Sequence, residues 1–240
     1  MPSPPINRPV AIITGAGSGI GAAIALSLAG RGMALTLAGR RRERLEQTAA
    51  ALPAETPVLV QPTDVGEESE VERMVAMTLE RFGRVDVLVC NAGFGVFGGV
   101  ESLAVEEFDR VVRVNLRGSF LSLRAVLPHF YQQGAGTVIA VSSVAGRHGF
   151  NGGGAYCASK FGLMGLMECA FQEARSHNVR VVTLAPGSVA TPFFDEANVP
   201  VPDPSRLLQP EDVAAAVLLV LDLPERATVR ELDIRPTNPR

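Results

Sequence analysis

The chain has 240 residues, of which 47% are hydrophobic and 20% charged, so it can bury a globular core. Its formal net charge of −3 gives no general attraction for nucleic acid or for an anionic membrane surface. Three cysteines without metal-ligand spacing, no apolar signal core and no membrane-length apolar run lead us to expect a cytoplasmic protein without disulfides, bound metal or membrane contact.

Apolar β-branched runs alternate with longer amphipathic stretches after a proline-rich lead-in at residues 1–8. The strand-like runs are residues 10–14, 33–37, 57–61, 85–91, 137–142, 179–184 and 230–234. The helix-like stretches are residues 19–30, 42–51, 67–82, 105–132, 155–177 and 210–221. This repeat predicts one α/β domain over residues 1–240, a Rossmann-type, doubly wound and mostly parallel seven-stranded sheet with helices on both faces.

One long stretch, residues 189–209, lacks clear periodicity. Irregular segments of this length are commonly functional, so residues 191–209 are predicted to form a substrate loop in which Phe193 and Phe194 cover an apolar substrate. A plain surface connection is the alternative. The prolines expected to discourage a regular helix in this loop are Pro192, Pro200, Pro202 and Pro204.

The first strand leads into residues 14–21 (TGAGSGIG), and a helix follows. Glycines at this spacing permit a tight turn, close approach of the backbone to a phosphate, and close packing of helix on strand. The helix N-terminus then offers free N–H groups to a pyrophosphate. The alternative is a turn that is merely tight. The dinucleotide-binding residues predicted here are Gly15, Ser18, Gly19, Ile20 and Gly21.

The second strand ends in arginines rather than in the acid that holds the ribose of NAD. Guanidinium groups match the geometry of a phosphate, so Arg40 and Arg41 are predicted to bind the 2′-phosphate of NADP. Positive charge at a helix start opposes the macrodipole, which makes the cluster unfavourable without an anion. The alternative is a solvated basic face that pairs with Glu43 and Glu46.

Tyr156 and Lys160 are four residues apart at the start of a helix-like stretch, so they share one helix face. A phenol with its ordinary pKa of about 10 is a poor base, and a neighbouring ammonium can lower that pKa by about 1–3 units. Such a pair can exchange a proton with a substrate oxygen. Ser142 and Ser143 end a strand at the same sheet edge and could bind that oxygen. The alternative is a packed aromatic beside a surface lysine.

Together these motifs resemble the short-chain dehydrogenase/reductase family over residues 8–236. Cys90 departs from the pattern, since the family often has a second asparagine there. The matching positions are Thr14, Gly15, Gly19, Ile20, Gly21, Asp64, Val65, Asn91, Ala92, Gly93, Asn115, Ser143, Tyr156, Lys160, Pro186, Gly187, Val189 and Thr191.

The resemblance implies an NADP-dependent oxidoreductase that acts on a small carbonyl or alcohol. Tyr156 would be the general acid/base, and Lys160 would lower its pKa and hold the nicotinamide ribose. Ser143 would orient the substrate oxygen, and Asn115 would support a water that links Lys160 to solvent. Further cofactor contacts are implied for the adenine pair Asp64 and Val65, for Asn91, Ala92 and Gly93, and for Pro186, Gly187, Val189 and Thr191.

Relatives pair the stretches 105–132 and 155–177 across a two-fold axis, which implies a homotetramer or homodimer. The apolar positions available for this pairing are Leu116, Phe120, Leu123, Leu127, Leu163, Leu166, Met167 and Phe171. The substrate pocket is expected to draw on Phe94, Val96, Phe97, Val144, His148, Phe150, Phe193 and Phe194, with Arg147 either solvated or facing an acidic substrate.

Two alternative functions fit the same motifs. A nucleotide-binding regulator could keep this fold without catalysis, although no catalytic position is missing. An epimerase or dehydratase with tightly held NAD could use the Tyr156–Lys160 pair, but it needs a further substrate domain, and Arg40 argues against it.

Overall fold

A computed structural model describes residues 6–197, 203 and 206–237, and within them seven parallel strands form one sheet. The strands are β1 Val10–Thr14, β2 Ala34–Gly39, β3 Val58–Pro62, β4 Val87–Cys90, β5 Gly136–Val141, β6 Val179–Pro186 and β7 Glu231–Ile234. Their spatial order is β3-β2-β1-β4-β5-β6-β7, with every neighbouring pair parallel. The predicted doubly wound parallel sheet is therefore confirmed.

The helices connect these strands across both faces of the sheet. They are α1 Gly19–Gly30, α2 Arg42–Ala50, α3 Glu68–Phe82, α4 Val105–Val112, α5 Gly118–Gln133, α6 Gly154–Ala174, α7 Phe193–Glu196 and α8 Pro210–Asp222. Short 3₁₀ turns follow β5 at Val144–Gly146 and α6 at Arg175–His177. None of the helices within the described ranges is long and apolar enough to cross a membrane.

Two predicted segments differ from the structure. The stretch 105–132 is not one uniform α-helix, because the π-helical segment Arg113–Arg117 joins α4 to α5 and places one extra residue in that turn. The loop 191–209 contains the four-residue helix α7, which begins directly after Pro192. A proline at a helix start loses no intrahelical hydrogen bond, so Pro192 does not prevent this turn. Pro200, Pro202 and Pro204 lie outside the described residues.

Alternate residues of the strands pack into two separate cores. In β1, Ile13 belongs to the core formed with α1 and α8, whereas Ile12 belongs to the core formed with α3, α5 and α6. All five residues of β1 are buried, as expected for a strand covered on both faces. Three positions expected at a subunit interface lie instead inside the second core: Leu123, Leu163 and Met167.

The strand order reverses at β1, since β2 lies on one side of it and β4 on the other. Such a reversal opens a crevice at the carboxyl ends of the strands. The Thr14 hydroxyl closes the base of this crevice: it donates to Val89 O at 3.1 Å and accepts from the backbone N–H groups of Asn91 at 3.0 Å and Ala92 at 3.1 Å. The Asn91 side chain also donates to Thr14 O at 3.0 Å. The two strand ends that border the crevice are thereby held in a fixed relation.

Candidate active site

A cleft runs along the carboxyl edge of the sheet and collects most of the predicted cofactor residues. Those that line it are Gly15, Ser18, Gly19, Ile20, Arg40, Arg41, Asp64, Val65, Asn91, Ala92, Gly93, Tyr156, Lys160 and Thr191. The others lie behind its surface. Gly21 packs against the glycine turn at Gly15. Pro186 is the last residue of β6, and Gly187 follows it and donates to Ile234 O on β7. Val189 is buried and forms a β-bridge with Leu208.

The glycine turn places the start of α1 against the end of β4. A Cβ atom on Gly21 would overlap the carbonyl oxygen of Gly15 and the side-chain amide of Asn91, so only glycine fits there. Ser18 precedes α1 and its side chain makes no capping hydrogen bond. The first N–H groups of α1 therefore face the cleft, where an anionic group would satisfy them.

Three arginines line the adenosine end of the cleft, one more than the sequence analysis identified. Arg40 follows β2, Arg41 precedes α2, and Arg44 lies in the first turn of α2 with its Cβ close to Gly17. Arg42 does not line the cleft and pairs with Glu46 at 3.6 Å. The three-residue spacing between Arg41 and Arg44, which brings both to one side of a helix start, was the available signal.

Asp64, which is expected to contact the adenine, also makes hydrogen bonds to other parts of the protein. Its carboxylate accepts from Gly66 N at 2.9 Å and from the Arg113 guanidinium at 2.9 Å. Burial acts to raise the pKa of Asp64, but these two hydrogen bonds and the charges of Arg113 and Arg40 outweigh it and leave the pKa below its ordinary value. The carboxylate is therefore ionised and directed at Arg113.

Asn115 lies in the π-helical segment and is completely buried. Its amide donates to Phe94 O at 2.9 Å and to Ser159 Oγ at 3.0 Å, and its Oδ1 accepts from Phe94 N at 3.0 Å. Both amide hydrogens are thus used within the protein, and the residue ties the loop after β4 to α6. The expected water link to Lys160 is not made by these amide hydrogens.

Tyr156 and Lys160 occupy successive turns of α6, with Lys160 Nζ 5.7 Å from the centre of the Tyr156 ring. Lys160 is buried and donates to Val141 O at 2.9 Å, at the end of β5. Ser143 caps the turn after β5 by accepting a hydrogen bond from Ala145 N at 3.1 Å. Its hydroxyl is also hydrogen-bonded to the Tyr156 phenol. Of the four predicted catalytic residues, Tyr156 and Lys160 therefore line the cleft together, Ser143 is hydrogen-bonded to Tyr156, and Asn115 is buried behind them.

Burial is the main influence on the pKa values of Tyr156 and Lys160. It raises the pKa of Tyr156 to about 12, against the opposing hydrogen bond from Ser143, and lowers the pKa of Lys160 to about 8. The group that acts to lower the phenol pKa here is Ser143 rather than Lys160, and burial, which disfavours the charged forms of both Tyr156 and Lys160, outweighs it. Lys160 is also the only lysine in the chain: the other 21 of the 22 Lys and Arg residues are arginines. This uniqueness is visible in the sequence itself and points to a special role for Lys160.

The residues expected to line the substrate pocket have different surroundings in the structure. Phe97, Phe150, Phe193 and Phe194 contact one another or Tyr156. Phe94 lies under the Arg110 guanidinium, 4.8 Å from ring centre to Cζ, and His148 is exposed. Val96 and Val144 are partly buried.

Arg147 is paired within the protein rather than simply solvated, so the expectation of a solvated arginine is wrong. Its guanidinium pairs with Glu231 and, at 2.7 Å, with Asp233, both on β7. The turn that follows Ser143 is thereby anchored to the edge strand of the sheet.

The comparison with known proteins agrees with this geometry. Residues 9–200 match the family described as short chain dehydrogenase. Sepiapterin reductase of Chlorobaculum tepidum is 35% identical, over 95% of this chain and 96% of its own length. Glycine betaine reductase ATRR of Emericella nidulans is 36% identical over 98% of this chain, which spans only 19% of that longer protein.

Comparison with a solved structure points to the same family. The alcohol dehydrogenase from the archaeon Thermococcus sibiricus, complexed with 5-hydroxy-NADP, has a TM-score of 0.90 and 37% identity, covering 98% of this chain and 99% of that one. This likeness extends over the sheet, both helix layers and the cleft. The chain therefore belongs to the short-chain dehydrogenase/reductase family of oxidoreductases.

Proposed function

We propose that the protein transfers a hydride between NADP(H) and a small carbonyl or alcohol substrate, with Tyr156 as the general acid/base. The observation that carries this proposal is that Tyr156 lines the nucleotide cleft together with Lys160 and is hydrogen-bonded to Ser143. A nucleotide-binding regulator would need the cleft but would not need a partly buried phenol beside the chain's one lysine, which is buried.

The cleft suits NADP at both ends. The glycine turn and the start of α1 present N–H groups for a pyrophosphate, while Arg40, Arg41 and Arg44 supply positive charge for a further phosphate. When bound, the nicotinamide supplies the hydride that the protein itself lacks. Thr191 and the backbone of Asn91, Ala92 and Gly93 line the other end and would hold the cofactor there.

In the direction of reduction, the phenol of Tyr156 donates its proton to the substrate oxygen and Ser143 holds that oxygen by a hydrogen bond. A phenol with a pKa of about 12 is fully protonated at neutral pH, so it is ready to act as a donor. Negative charge that develops on the phenol oxygen is stabilised by the protonated amine of Lys160, whose pKa of about 8 leaves it mostly charged at pH 7.

Replacement of Tyr156 by Phe keeps the ring and removes the proton donor. We expect turnover to fall by at least about 100-fold while NADPH binding stays unchanged, because general acid catalysis contributes about 10²–10⁴-fold. The measurement is NADPH absorbance during reduction of a panel of aldehydes and ketones. The chain offers a matched control in its other tyrosine, Tyr131, which stacks on His177 at a ring separation of 4.0 Å. Tyr131→Phe should retain full turnover, and a Tyr156→Phe protein within a few-fold of the parent would contradict the assignment.

The cofactor preference can be tested at Arg40. We expect Arg40→Gln to weaken NADPH binding by about 10- to 100-fold, since a hydrogen bond to a charged group contributes about 1.5–3 kcal/mol, and to leave NADH binding nearly unchanged. Fluorescence titration of both cofactors measures this difference. Arg42→Gln is the matched control, because Arg42 pairs with Glu46 and does not line the cleft. Equal affinities of the unmodified protein for NADPH and NADH would refute the preference.

Lys160 should make the stability of the protein depend on pH. Its pKa is about 8 when folded, against an ordinary value of 10.5, so between these values the unfolded chain binds the extra proton. The free energy of unfolding therefore rises with pH in this window, by up to about 1.4 kcal/mol per pH unit. Lys160→Met lacks this contribution. We expect the stability of the variant relative to the parent to fall from pH 8 towards pH 10, as measured by urea unfolding.

Direct titration provides the control for this prediction. Because the chain has one lysine, protein grown with ¹³Cε-labelled lysine should give one side-chain signal, with a midpoint near the folded pKa of about 8. A midpoint near 10.5, or parallel stability curves for parent and variant, would show that burial does not perturb this amine.

We also propose that the protein assembles as a homodimer or homotetramer through α4, α5 and α6. Large apolar side chains remain exposed on these helices, namely Phe108, Phe120 and Phe161 with 41%, 46% and 46% of their surface accessible. Light scattering at micromolar concentration should report two or four chains, and Phe120→Asp should shift the mass downwards. A monomeric parent protein would overturn this proposal.

A further inference from the structure

Aromatic rings from three segments meet around the Tyr156 phenol. The Phe97 ring, after β4, lies 5.8 Å from the Tyr156 ring centre at an edge-on angle of 64°, and the Phe193 ring, on α7, lies 5.4 Å from it. Phe97 and Phe193 are 6.2 Å apart. Phe150 extends the group at 5.8 Å from Phe97, and Phe194 at 5.9 Å from Phe193. We call these five residues the aromatic cluster.

The hydrophobic cores do not account for this cluster. The chain has eleven phenylalanines, two tyrosines and no tryptophan. Of the phenylalanines, all within the described residues, Phe82 and Phe130 are fully buried, and the other buried core residues are aliphatic side chains, methionines and Cys90. Phe150, by contrast, remains 51% exposed. The five rings of the cluster therefore contact one another beside the cleft and belong to none of the hydrophobic cores.

Backbone hydrogen bonds make one wall of the cluster firm. Gly98 N donates to Gly152 O at 2.9 Å, and Gly98 also forms a parallel bridge with Gly153. These bonds join the loop that carries Phe97 to the loop that carries Phe150. The two rings are thus held on a common support, next to the start of α6.

Phe193 forms the opposite wall and reaches across the cleft. A Cβ atom on Gly95 would lie 2.8 Å from the ring ends of both Phe193 and Phe97, so the absence of a side chain at Gly95 lets the two rings meet. Their separation of 6.2 Å at an interplanar angle of 71° is an edge-to-face contact, so the two rings touch each other. A substrate ring held by both would therefore lie against this pair or displace one of the two rings.

The charged groups around the cluster are unsuited to an anionic substrate. Arg147 is held by Glu231 and Asp233, and Arg110 pairs with Glu107 at 2.6 Å. Asp195, on α7 beside the two phenylalanines, is exposed and acidic. Within the described parts of the three segments that bring phenylalanines to the cluster, 94–104, 144–153 and 191–197, Arg147 and His148 are the only basic side chains. Lys160, on α6 below Tyr156, donates to Val141 O.

We propose that the substrate is an uncharged carbonyl compound with an aromatic or alicyclic ring next to the reacting carbonyl, and that Phe97 and Phe193 hold this ring. The inference rests on the proposed proton transfer at Tyr156, since it places the carbonyl oxygen at that phenol. Edge-to-face and offset contacts with the two phenylalanines would orient the ring. A carboxylate attached to the ring on the side away from the reacting carbonyl would lose its hydration there without gaining a cation from the phenylalanine-bearing segments, because Arg147 is already paired.

Binding can be measured without turnover, because an alcohol cannot react with NADPH. The protein with saturating NADPH is titrated with 1-phenylethanol, with its para-carboxylate and with 2-butanol, and dissociation constants are read by ligand-observed NMR. We expect 1-phenylethanol to bind at least about 10-fold more tightly than either of the others, from the apolar area of the ring and the cost of a buried carboxylate. Equal or tighter binding of the carboxylate would overturn the proposal.

Leucine variants separate ring contacts from simple apolar bulk. Phe97→Leu and Phe193→Leu should each weaken binding of 1-phenylethanol by about 2- to 10-fold and leave NADPH and 2-butanol unchanged, in line with the usual strength of an aromatic pair. Phe171→Leu, at the far end of α6 beneath Arg175, is the matched control and should change none of the three. Unchanged binding of 1-phenylethanol in both cleft variants would refute the role of the rings.

Reduction of the matching ketones distinguishes this proposal from the proposed function. If butanone or 4-acetylbenzoate is reduced more efficiently than acetophenone, hydride transfer stands and the ring assignment fails. If Tyr156→Phe keeps full turnover while the alcohols still bind in the expected order, the role of Tyr156 fails and the ring-binding site stands.

Discussion

The hydroxyl of Thr14 lies where the strand order reverses, and it fixes the positions of the two strand ends that border the cleft. It joins the end of β1 to the end of β4 by three hydrogen bonds, two of which satisfy backbone N–H groups at Asn91 and Ala92. Both strands are buried, so water could not replace this hydroxyl without cost. The glycine turn lies on one side of the junction and the segment that ends at Phe94 on the other. Because Phe94 is in turn bonded to Asn115, and Asn115 to Ser159, the same junction reaches the helix that carries the acid/base residues. The position of Tyr156 is therefore fixed through a chain of hydrogen bonds that begins at the sheet.

The acid/base group is shaped by burial more than by mutual attraction. Lys160 stands in a chain that otherwise uses arginine, and the chemistry explains the choice. An arginine keeps its proton in any protein environment, whereas a buried lysine can have its pKa brought near 8, as here. The same burial raises the pKa of Tyr156 to about 12, so both groups favour their neutral forms more than they would in water. A phenol in that state donates its proton to a substrate oxygen only if the developing charge is stabilised at once. In the proposed reaction, the amine one helical turn away would supply that stabilisation, and this role requires the two residues to share one face of α6, as they do.

Much of the fold could be predicted because the parallel strands are buried on both faces and so appear as continuous apolar runs, as in β1, whose bounds agree with the prediction. The glycine turn was equally clear, since its residues are consecutive and act through the backbone. The π-helical segment at Asn115 was missed because one extra residue in a turn changes neither composition nor the apolar pattern enough to be read. Arg44 was missed because only the arginines directly after the second strand were considered, and not the residue three positions beyond Arg41 in the first turn of the helix. The role of Arg147 could not be predicted, since its partners lie 84 and 86 residues further along the chain.

The two ends of the cleft also differ in how far their residues could be predicted from the sequence. The phosphate end depends on neighbouring residues in the sequence, whereas the aromatic cluster is assembled from positions near 97, 150 and 193 that only the folded sheet brings together. This difference has a chemical consequence at Tyr156. A ring bound between Phe97 and Phe193 would displace water from beside the phenol and lower the local dielectric constant. The attraction between a developing phenolate and the Lys160 ammonium grows as the dielectric constant falls. Binding of an apolar ring would thus strengthen the interaction that stabilises the proton donor, whereas a small polar substrate that left water in the cleft would not. Under the proposed substrate and reaction, the cluster that selects the substrate would therefore also set the electrostatics of the proton transfer.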